Sequence, residues 1–174
     1  MATYELIAKN TLGSDTASLT FSSIPQTGYT DLVLICTTRS DRGGVANGKI
    51  LVTFNSSTSN YSYRRLLASN TTVQSASASS LSSFDACSFT GCSAGNTSNT
   101  FGSTEVYIPN YTGSTNKAIS ATSVSENNGT NGYLVALAGL WADTSAITSM
   151  SIAEQSGYNF KSGSSFYLFG IAKA

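Results

Sequence analysis

The sequence predicts an all-β protein, a two-sheet β-sandwich that is jelly-roll-like, with about ten strands and little helix. Short runs of β-branched and aromatic residues recur along the chain, and Gly, Asn, Ser or Pro follows each run. No window shows a convincing 3.6-residue apolar period. An immunoglobulin-like sandwich is the second choice, because the Cys-Trp-Cys spacing typical of that fold is absent.

The composition indicates one folded domain over residues 1–174. Hydrophobic residues make up 40% of the chain, and a chain of this length buries a core without support from a metal or a disulfide. Only 10% of residues are charged and the net charge is zero, so no basic stripe is available to neutralise nucleic acid. No apolar run reaches the length that spans a membrane. We therefore expect neither nucleic acid nor a membrane as a partner.

Turn chemistry sets the boundaries of the strands predicted in the first half of the chain. Pro25 and Gly28 precede the third strand, a Gly-rich segment at 40–48 precedes the fourth, and Asn55–Asn60 precedes the fifth. The five strands are Tyr4–Ala8, Ser18–Phe21, Asp31–Thr38, Lys49–Phe54 and Tyr61–Ala68.

The middle of the chain is predicted to be less regular than its ends. Ser69–Ser80 is polar and is predicted to be a long loop, and Ser79–Ala86 is predicted to supply a turn of helix at most. Pro109 ends the next strand, because proline lacks the N–H that a sheet requires. The later strands are Phe101–Ile108, Lys117–Ser125, Tyr133–Trp141, Ile147–Ala153 and Ser165–Ile171.

The last strand is apolar on both of its faces. Side chains alternate across a strand, so Tyr167, Phe169 and Ile171 point to the side opposite Phe166 and Leu168. The second apolar face requires cover, either from a second layer of the sandwich or from another subunit. We expect Tyr167, Phe169 and Ile171 to contribute to an oligomer interface, and a homotrimer is the predicted state.

Few residues suited to catalysis or metal binding are present. The chain has no histidine and three cysteines, and its carboxylates are not spaced to meet on one strand face. We therefore predict no enzymatic activity, no metal and no cofactor. Cys36 lies in an apolar run and is interpreted as a small buried side chain, whereas Cys87 and Cys92 are close enough in sequence to form a small disulfide loop after oxidation.

Aromatic and basic residues provide a candidate carbohydrate site. Trp141 ends a predicted strand next to a turn, where an indole ring can stack on a sugar. Tyr61, Tyr63 and Arg64 are the other candidates for binding a glycan. The alternative interpretation is that Trp141 closes the end of the core, and that the tyrosines and Arg64 belong to a solvated strand face or a subunit contact.

Several segments, in order along nearly the whole chain, resemble a domain of structural proteins from tailed bacteriophages, particularly marine and cyanobacterial phages. The matching segments are Ser18–Pro25, Asp31–Leu34, Leu51–Asn55, Phe101–Ser103, Gly139–Ser149 and Gly163–Ile171. The resemblance implies a β-sandwich on the virion surface, as a head decoration, a head fibre or a tail-fibre component. It implies no catalytic residues.

Together these observations predict a non-enzymatic virion structural protein. We expect a capsid decoration, cement or head-fibre protein that forms a homotrimer and contacts other virion proteins such as the major capsid protein. The alternative is a tail-fibre tip or receptor-binding module that recognises a host surface carbohydrate. The first residues lack a secretory signal, so synthesis in the host cytoplasm followed by incorporation at the virion surface is expected.

Overall fold

Twelve β-strands and no helix occur in the described part of the chain, which in this computed structural model comprises residues 3–43, 48–87, 92–126, 132–155 and 157–173. The predicted all-β fold is therefore confirmed. In chain order the strands are β1 (Tyr4–Thr11), β2 (Ser18–Phe21), β3 (Tyr29–Thr38), β4 (Leu51–Phe54), β5 (Tyr61–Ser69), β6 (Thr72–Leu81), β7 (Phe84–Asp85), β8 (Gly102–Ile108), β9 (Lys117–Glu126), β10 (Gly132–Trp141), β11 (Met150–Ala153) and β12 (Ser165–Ala172).

The strands form two antiparallel sheets, as the predicted sandwich requires. The larger sheet has eight strands in the order β1-β12-β3-β8-β9-β10-β5-β6, and the smaller sheet has four in the order β2-β11-β4-β7. β1 pairs with β12, β2 with β11, β3 with β8 and β4 with β7. Early strands thus pair with late strands in reverse order, which is the pairing of a jelly roll.

Two inserted hairpins enlarge one sheet of this jelly roll. The β5–β6 hairpin lies between β4 and β7 in the sequence, and the β9–β10 hairpin lies between β8 and β11. β10 pairs with β5 along its length, from Tyr133 opposite Ser69 to Trp141 opposite Tyr61. The larger sheet therefore extends beyond β8 and ends at β6.

The hydrophobic core lies between the two sheets. Alternate residues of the central strands point inward, as the pattern of β9 demonstrates, where buried and exposed residues alternate from Lys117 to Glu126. Leu34, Val106 and Leu168 from the larger sheet are fully buried, as are Phe54 and Ile152 from the smaller sheet. The alternation leaves the other face of the larger sheet outside the core.

The predicted loop Ser69–Ser80 is wrong, because Thr72–Leu81 forms strand β6. Serine, alanine and glutamine have low strand propensity, but β6 is held through its backbone by β5, and most of its side chains are exposed. The predicted helical turn at Ser79–Ala86 is also wrong. That segment contains the end of β6 and the short strand β7, whose Phe84 is fully buried.

All three cysteines are buried and none is in a disulfide, so the small disulfide loop between Cys87 and Cys92 is not formed. Cys87 Sγ accepts a hydrogen bond from the backbone N–H of Ile50 at 2.8 Å. Burial raises the pKa of the thiols of Cys36 and Cys92. Cys36 is completely buried, as predicted. The residues between Cys87 and Cys92 lie outside the described part of the chain.

Candidate functional site: the outer face of the larger sheet

The outer face of the larger sheet is the face turned away from the smaller sheet. On β10, Val135 and Leu137 point into the core and are buried, whereas Leu134, just before Val135, points the other way and is 51% exposed. The same alternation places every large hydrophobic residue that is exposed in the described part of the chain on this face. These residues are Tyr4, Leu6, Leu66, Val73, Val124 and Leu134.

One cluster of apolar side chains, which we call the β12 patch, consists of Tyr4, Leu6, Tyr167, Phe169 and Ile171. Strand pairing sets Tyr4 opposite Ile171 and Leu6 opposite Phe169. The ring of Phe169 lies 6.5 Å from that of Tyr4, edge to face, and 6.4 Å from that of Tyr167, nearly parallel. The three residues predicted for an interface are therefore brought together on one surface, each half-buried.

Two hydrogen bonds to the Asp31 carboxylate fix the polar border of the β12 patch. Tyr107 Oη donates to Asp31 Oδ2 at 2.9 Å, and the backbone N–H of Asn110 donates to Asp31 Oδ1 at 2.8 Å. Burial together with the Asp31 carboxylate raises the pKa of Tyr107. Tyr107 therefore remains a neutral donor at the border of the patch.

A second cluster, which we call the β10 patch, lies toward the other end of the outer face. It consists of Leu66, Val73, Val124 and Leu134, which belong to four adjacent strands. Leu134 lies opposite Val124 on one side and opposite Ala68 on the other, and Ala68 lies opposite Val73. The sequence did not indicate this patch, because Val73 lies in the segment that was predicted to be a loop. The available signal was the apolar character of both faces of Tyr133–Trp141.

A groove of about 700 Å³ borders the β10 patch. Its described lining includes two half-buried aromatic residues, Phe101 and Tyr133, together with the exposed carboxylate of Glu126. The end of β5 is tied to the start of β10, because Asn70 N–H donates to Gly132 O at 3.0 Å and Gly132 N–H donates to Asn70 Oδ1 at 3.1 Å. The groove thus combines aromatic rings with a hydrogen-bond acceptor, and hydrogen bonds between Asn70 and Gly132 hold the adjacent backbone in place.

The four residues predicted to bind a glycan do not form one surface. Trp141 is 1% exposed and Tyr61 is 0% exposed, and their rings stack with centroids 6.1 Å apart inside the core. Tyr61 Oη accepts a hydrogen bond from the backbone N–H of Phe54 at 2.8 Å. The predicted sugar platform on Trp141 and Tyr61 is therefore wrong, and the alternative that Trp141 closes the end of the core is correct.

The other two predicted glycan residues point to opposite sides of β5. Tyr63 has the same orientation as Tyr61 and is half-buried, with the Arg65 guanidinium carbon 6.0 Å from its ring centroid. Arg64 lies between Tyr63 and Arg65 in the sequence and is exposed on the outer face. Side chains alternate along β5, so Tyr63 and Arg64 point to opposite faces and cannot bind one ligand from the same side.

Two buried ionisable groups connect loops to strands. Lys117 Nζ donates to Gly113 O at 2.7 Å and to Thr115 O at 2.6 Å, and burial lowers its pKa. The Glu154 carboxylate accepts from the backbone N–H of Lys49 at 3.0 and 3.2 Å, and burial raises its pKa to about 7 although this hydrogen bond opposes the rise. Within the described residues, no group of three or more His, Cys, Asp or Glu side chains is placed to hold a metal ion.

No protein-family model and no curated protein sequence matches this chain. In the residues whose placement is described, no helix is long and apolar enough to cross a bilayer. Among the described surfaces, the outer face of the larger sheet is the one that concentrates exposed large hydrophobic residues.

Proposed function

We propose that this chain is a non-enzymatic structural protein of a phage particle, a capsid decoration, cement or head-fibre protein that assembles as a homotrimer through the outer face of its larger sheet. One observation carries the proposal: all six exposed large hydrophobic residues in the described part of the chain lie on that face. An apolar surface concentrated in this way is typical of a protein interaction site.

The β12 patch is the proposed centre of the subunit contact. Its aromatic rings already pack against one another, so little side-chain freedom remains to be lost when a second copy covers them. The net charge of zero adds no overall repulsion between copies. Closed threefold symmetry covers the patch on every subunit and suits a threefold or quasi-threefold position on a capsid.

The resemblance to tailed-phage structural proteins supports the location at the virion surface, with the major capsid protein as the proposed second partner. Jelly rolls are frequent in viral shells, and the observed strand pairing is consistent with that use. The fold by itself does not define a function, because the same architecture also occurs in lectins and other proteins.

The test is the mass of the assembly in solution. Sedimentation equilibrium at micromolar concentration is expected to give three subunits or a multiple of three. Phe169→Asp should lower the mass below three subunits, because it places a charge in the middle of the β12 patch. Its melting temperature should fall only slightly, since Phe169 lies outside the core between the sheets.

The matched control is Ser18→Asp, which places the same charge on an exposed position of β2 in the smaller sheet. This variant should keep the wild-type mass. If Phe169→Asp unfolds, Leu6→Asp probes the same patch from a more exposed side chain. A wild-type chain that is monomeric at micromolar concentration would refute the self-assembly proposal.

Recognition of a host surface carbohydrate is a second proposed function, and the groove beside the β10 patch favours it. Phe101 and Tyr133 provide ring faces suited to the apolar side of a sugar, and Glu126 provides an acceptor for sugar hydroxyl groups. The site differs from the one expected from the sequence, because Trp141 and Tyr61 are buried.

The carbohydrate proposal predicts binding of the purified protein to surface polysaccharide from a host cell. Phe101→Ala should weaken that binding at least tenfold in isothermal titration, because it removes one ring from the groove. Trp141→Ala is the contrasting variant: it should lower the free energy of unfolding by about 3–5 kcal/mol, as expected for truncating a buried ring. Unchanged binding by a folded Phe101→Ala variant would exclude this groove.

A further inference from the structure

The edges of the two sheets differ in how well they are protected against pairing with another chain. An edge strand presents backbone N–H and C=O groups that have no partner on one side. The edges of the larger sheet are β1 and β6, and those of the smaller sheet are β2 and β7. Natural proteins protect such edges with charges, bulges or very short strands.

Three of the four edges carry such protection. β1 contains Glu5 and Lys9, and its register shifts between Leu6 and Ala8, which marks an irregularity of the bulge type. β2 is four residues long and β7 is two residues long, so neither offers more than a short ladder.

Strand β6 has none of these protections over most of its length. It is ten residues long and contains no charged residue and no proline. From Thr72 to Ala78 it pairs with β5 without interruption, and its register shifts only beyond Ala78, near the positive φ of Ser80. Among the described strands β5 is its only neighbour, and Val73 is 70% exposed. The free edge of β6 is therefore long, regular and uncharged.

We propose that β6 pairs in an antiparallel manner with β6 of a second copy, about a twofold axis beside Ser75. Ser75 is the middle residue of the regular segment Thr72–Ala78, so this register uses the whole segment. It sets Val73 opposite Ser77 of the second copy, with both side chains on the outer face. Opposite residues of an antiparallel pair share one face, so the outer faces of the two copies become continuous.

The lack of charge in β6 makes a second copy of the chain a suitable partner strand. A twofold contact brings each residue near a copy of the same segment, and a charged edge would then face its own charge. β6 carries no charge, so no such repulsion opposes the contact. The contact joins the larger sheets of two copies into one sheet and also brings the exposed Val73 of each copy beside the other chain.

This inference goes beyond the proposed trimer, because it uses the sheet edge and not the β12 patch. β6 and β12 are separated in the larger sheet by β3, β8, β9, β10 and β5. One subunit can therefore take part in a threefold contact through β12 and a twofold contact through β6. The combination would link trimers to one another.

Disulfide trapping tests the pairing and its register. Opposite residues in an antiparallel pair have Cα atoms about 4.5–5.5 Å apart, which is within the range that a disulfide spans. Ser75→Cys should thus form a covalent dimer under mild oxidation. Val73→Cys and Ser77→Cys should each fail alone, because their own copies lie about 13 Å apart along the strands, and should cross-link when mixed. The native cysteines are buried and supply the background control.

The trapping is done both in the wild-type chain and in the Phe169→Asp variant, in which the trimer contact is disrupted. A cross-link that forms in both does not depend on the trimer contact. Cross-linking at Ser75→Cys in both backgrounds supports the proposal. Ser75→Lys should separate the linked trimers and so at least halve the mass of the assembly. Ser18→Lys, on the short edge strand β2, should leave that mass unchanged. Absence of the Ser75→Cys dimer, or equal cross-linking by all three single variants, would overturn the proposal.

Discussion

At the scale of single residues, the protonation of Glu154 makes the stability of the fold depend on pH. Its carboxylate is buried at the end of β11, where the backbone N–H of Glu154 also donates to Ala17 O at 3.0 Å. The carboxylate binds the backbone N–H of Lys49, just before β4. The sequence contained no sign of this role, because Glu154 stands in a polar stretch and its partner is 105 residues away.

The ionisation of Glu154 should make the protein less stable as pH rises from about 4.5 to about 7. Burial raises the pKa of this carboxyl from its ordinary 4.5 to about 7, so in this range the folded state holds a proton that the unfolded state has released. The free energy of unfolding from this group is therefore highest below pH 4.5 and falls by on the order of 3 kcal/mol by neutral pH. Urea denaturation at pH 5 and pH 7.5 measures the effect.

Glu154→Gln should remove most of this pH dependence, because glutamine keeps an acceptor for Lys49 N–H but does not ionise. The control Glu105→Gln changes an exposed carboxylate on β8 and should leave the dependence as in the wild type. The lowered pKa values of Asp15 and Asp143 affect stability at lower pH, below about 4. An identical pH dependence in Glu154→Gln and wild type would contradict the assignment.

At the scale of elements, the contact between β10 and β7 depends on the absence of a side chain at Gly139. A Cβ atom at this position would lie 2.1 Å from the ring of Phe84, which is fully buried. Gly139→Ala should therefore force the Phe84 ring or β7 to move and should destabilise the protein by about 1–3 kcal/mol. Thermal and urea denaturation of the purified variant measure this change.

A neighbouring substitution controls for the general effect of altering β10. Ala138→Ser adds an atom to the outer face, where Ala138 is exposed, and should change stability by less than about 0.5 kcal/mol. Combining Gly139→Ala with Phe84→Leu should cost less than the sum of the two single changes, because the smaller side chain leaves room for the new methyl group. A fully additive pair would show that Phe84 is not the obstacle.

At the scale of the whole molecule, the inserted hairpins decide which surfaces remain available. Without β5, β6, β9 and β10, each sheet of the jelly roll would have four strands. The insertions leave a larger sheet whose outer face holds the β12 patch near one end and the β10 patch near the other. They also place the uncharged β6 at the edge. The proposed face contact and the proposed edge contact therefore lie on one enlarged sheet.

The sequence by itself determined the all-β fold, the approximate positions of ten strands and the apolar character of both faces of Ser165–Ile171. These features follow from local periodicity and turn chemistry, which act over a few residues. Tyr167, Phe169 and Ile171 could be assigned to one face for the same reason. The burial of Cys36 also followed from its apolar neighbours.

Only the tertiary structure decided the roles of Trp141, Tyr61, Thr72–Leu81 and Glu154. Trp141 and Tyr61 look suited to a ligand in sequence, but the register of β10 against β5 stacks them inside the core. β6 lacks a local signal because its backbone is paired by β5 and its side chains bury little. The pKa of Glu154 depends on burial by segments distant in sequence. In each case long-range pairing outweighs local preference, since burial and ladder hydrogen bonds arise only when distant strands meet.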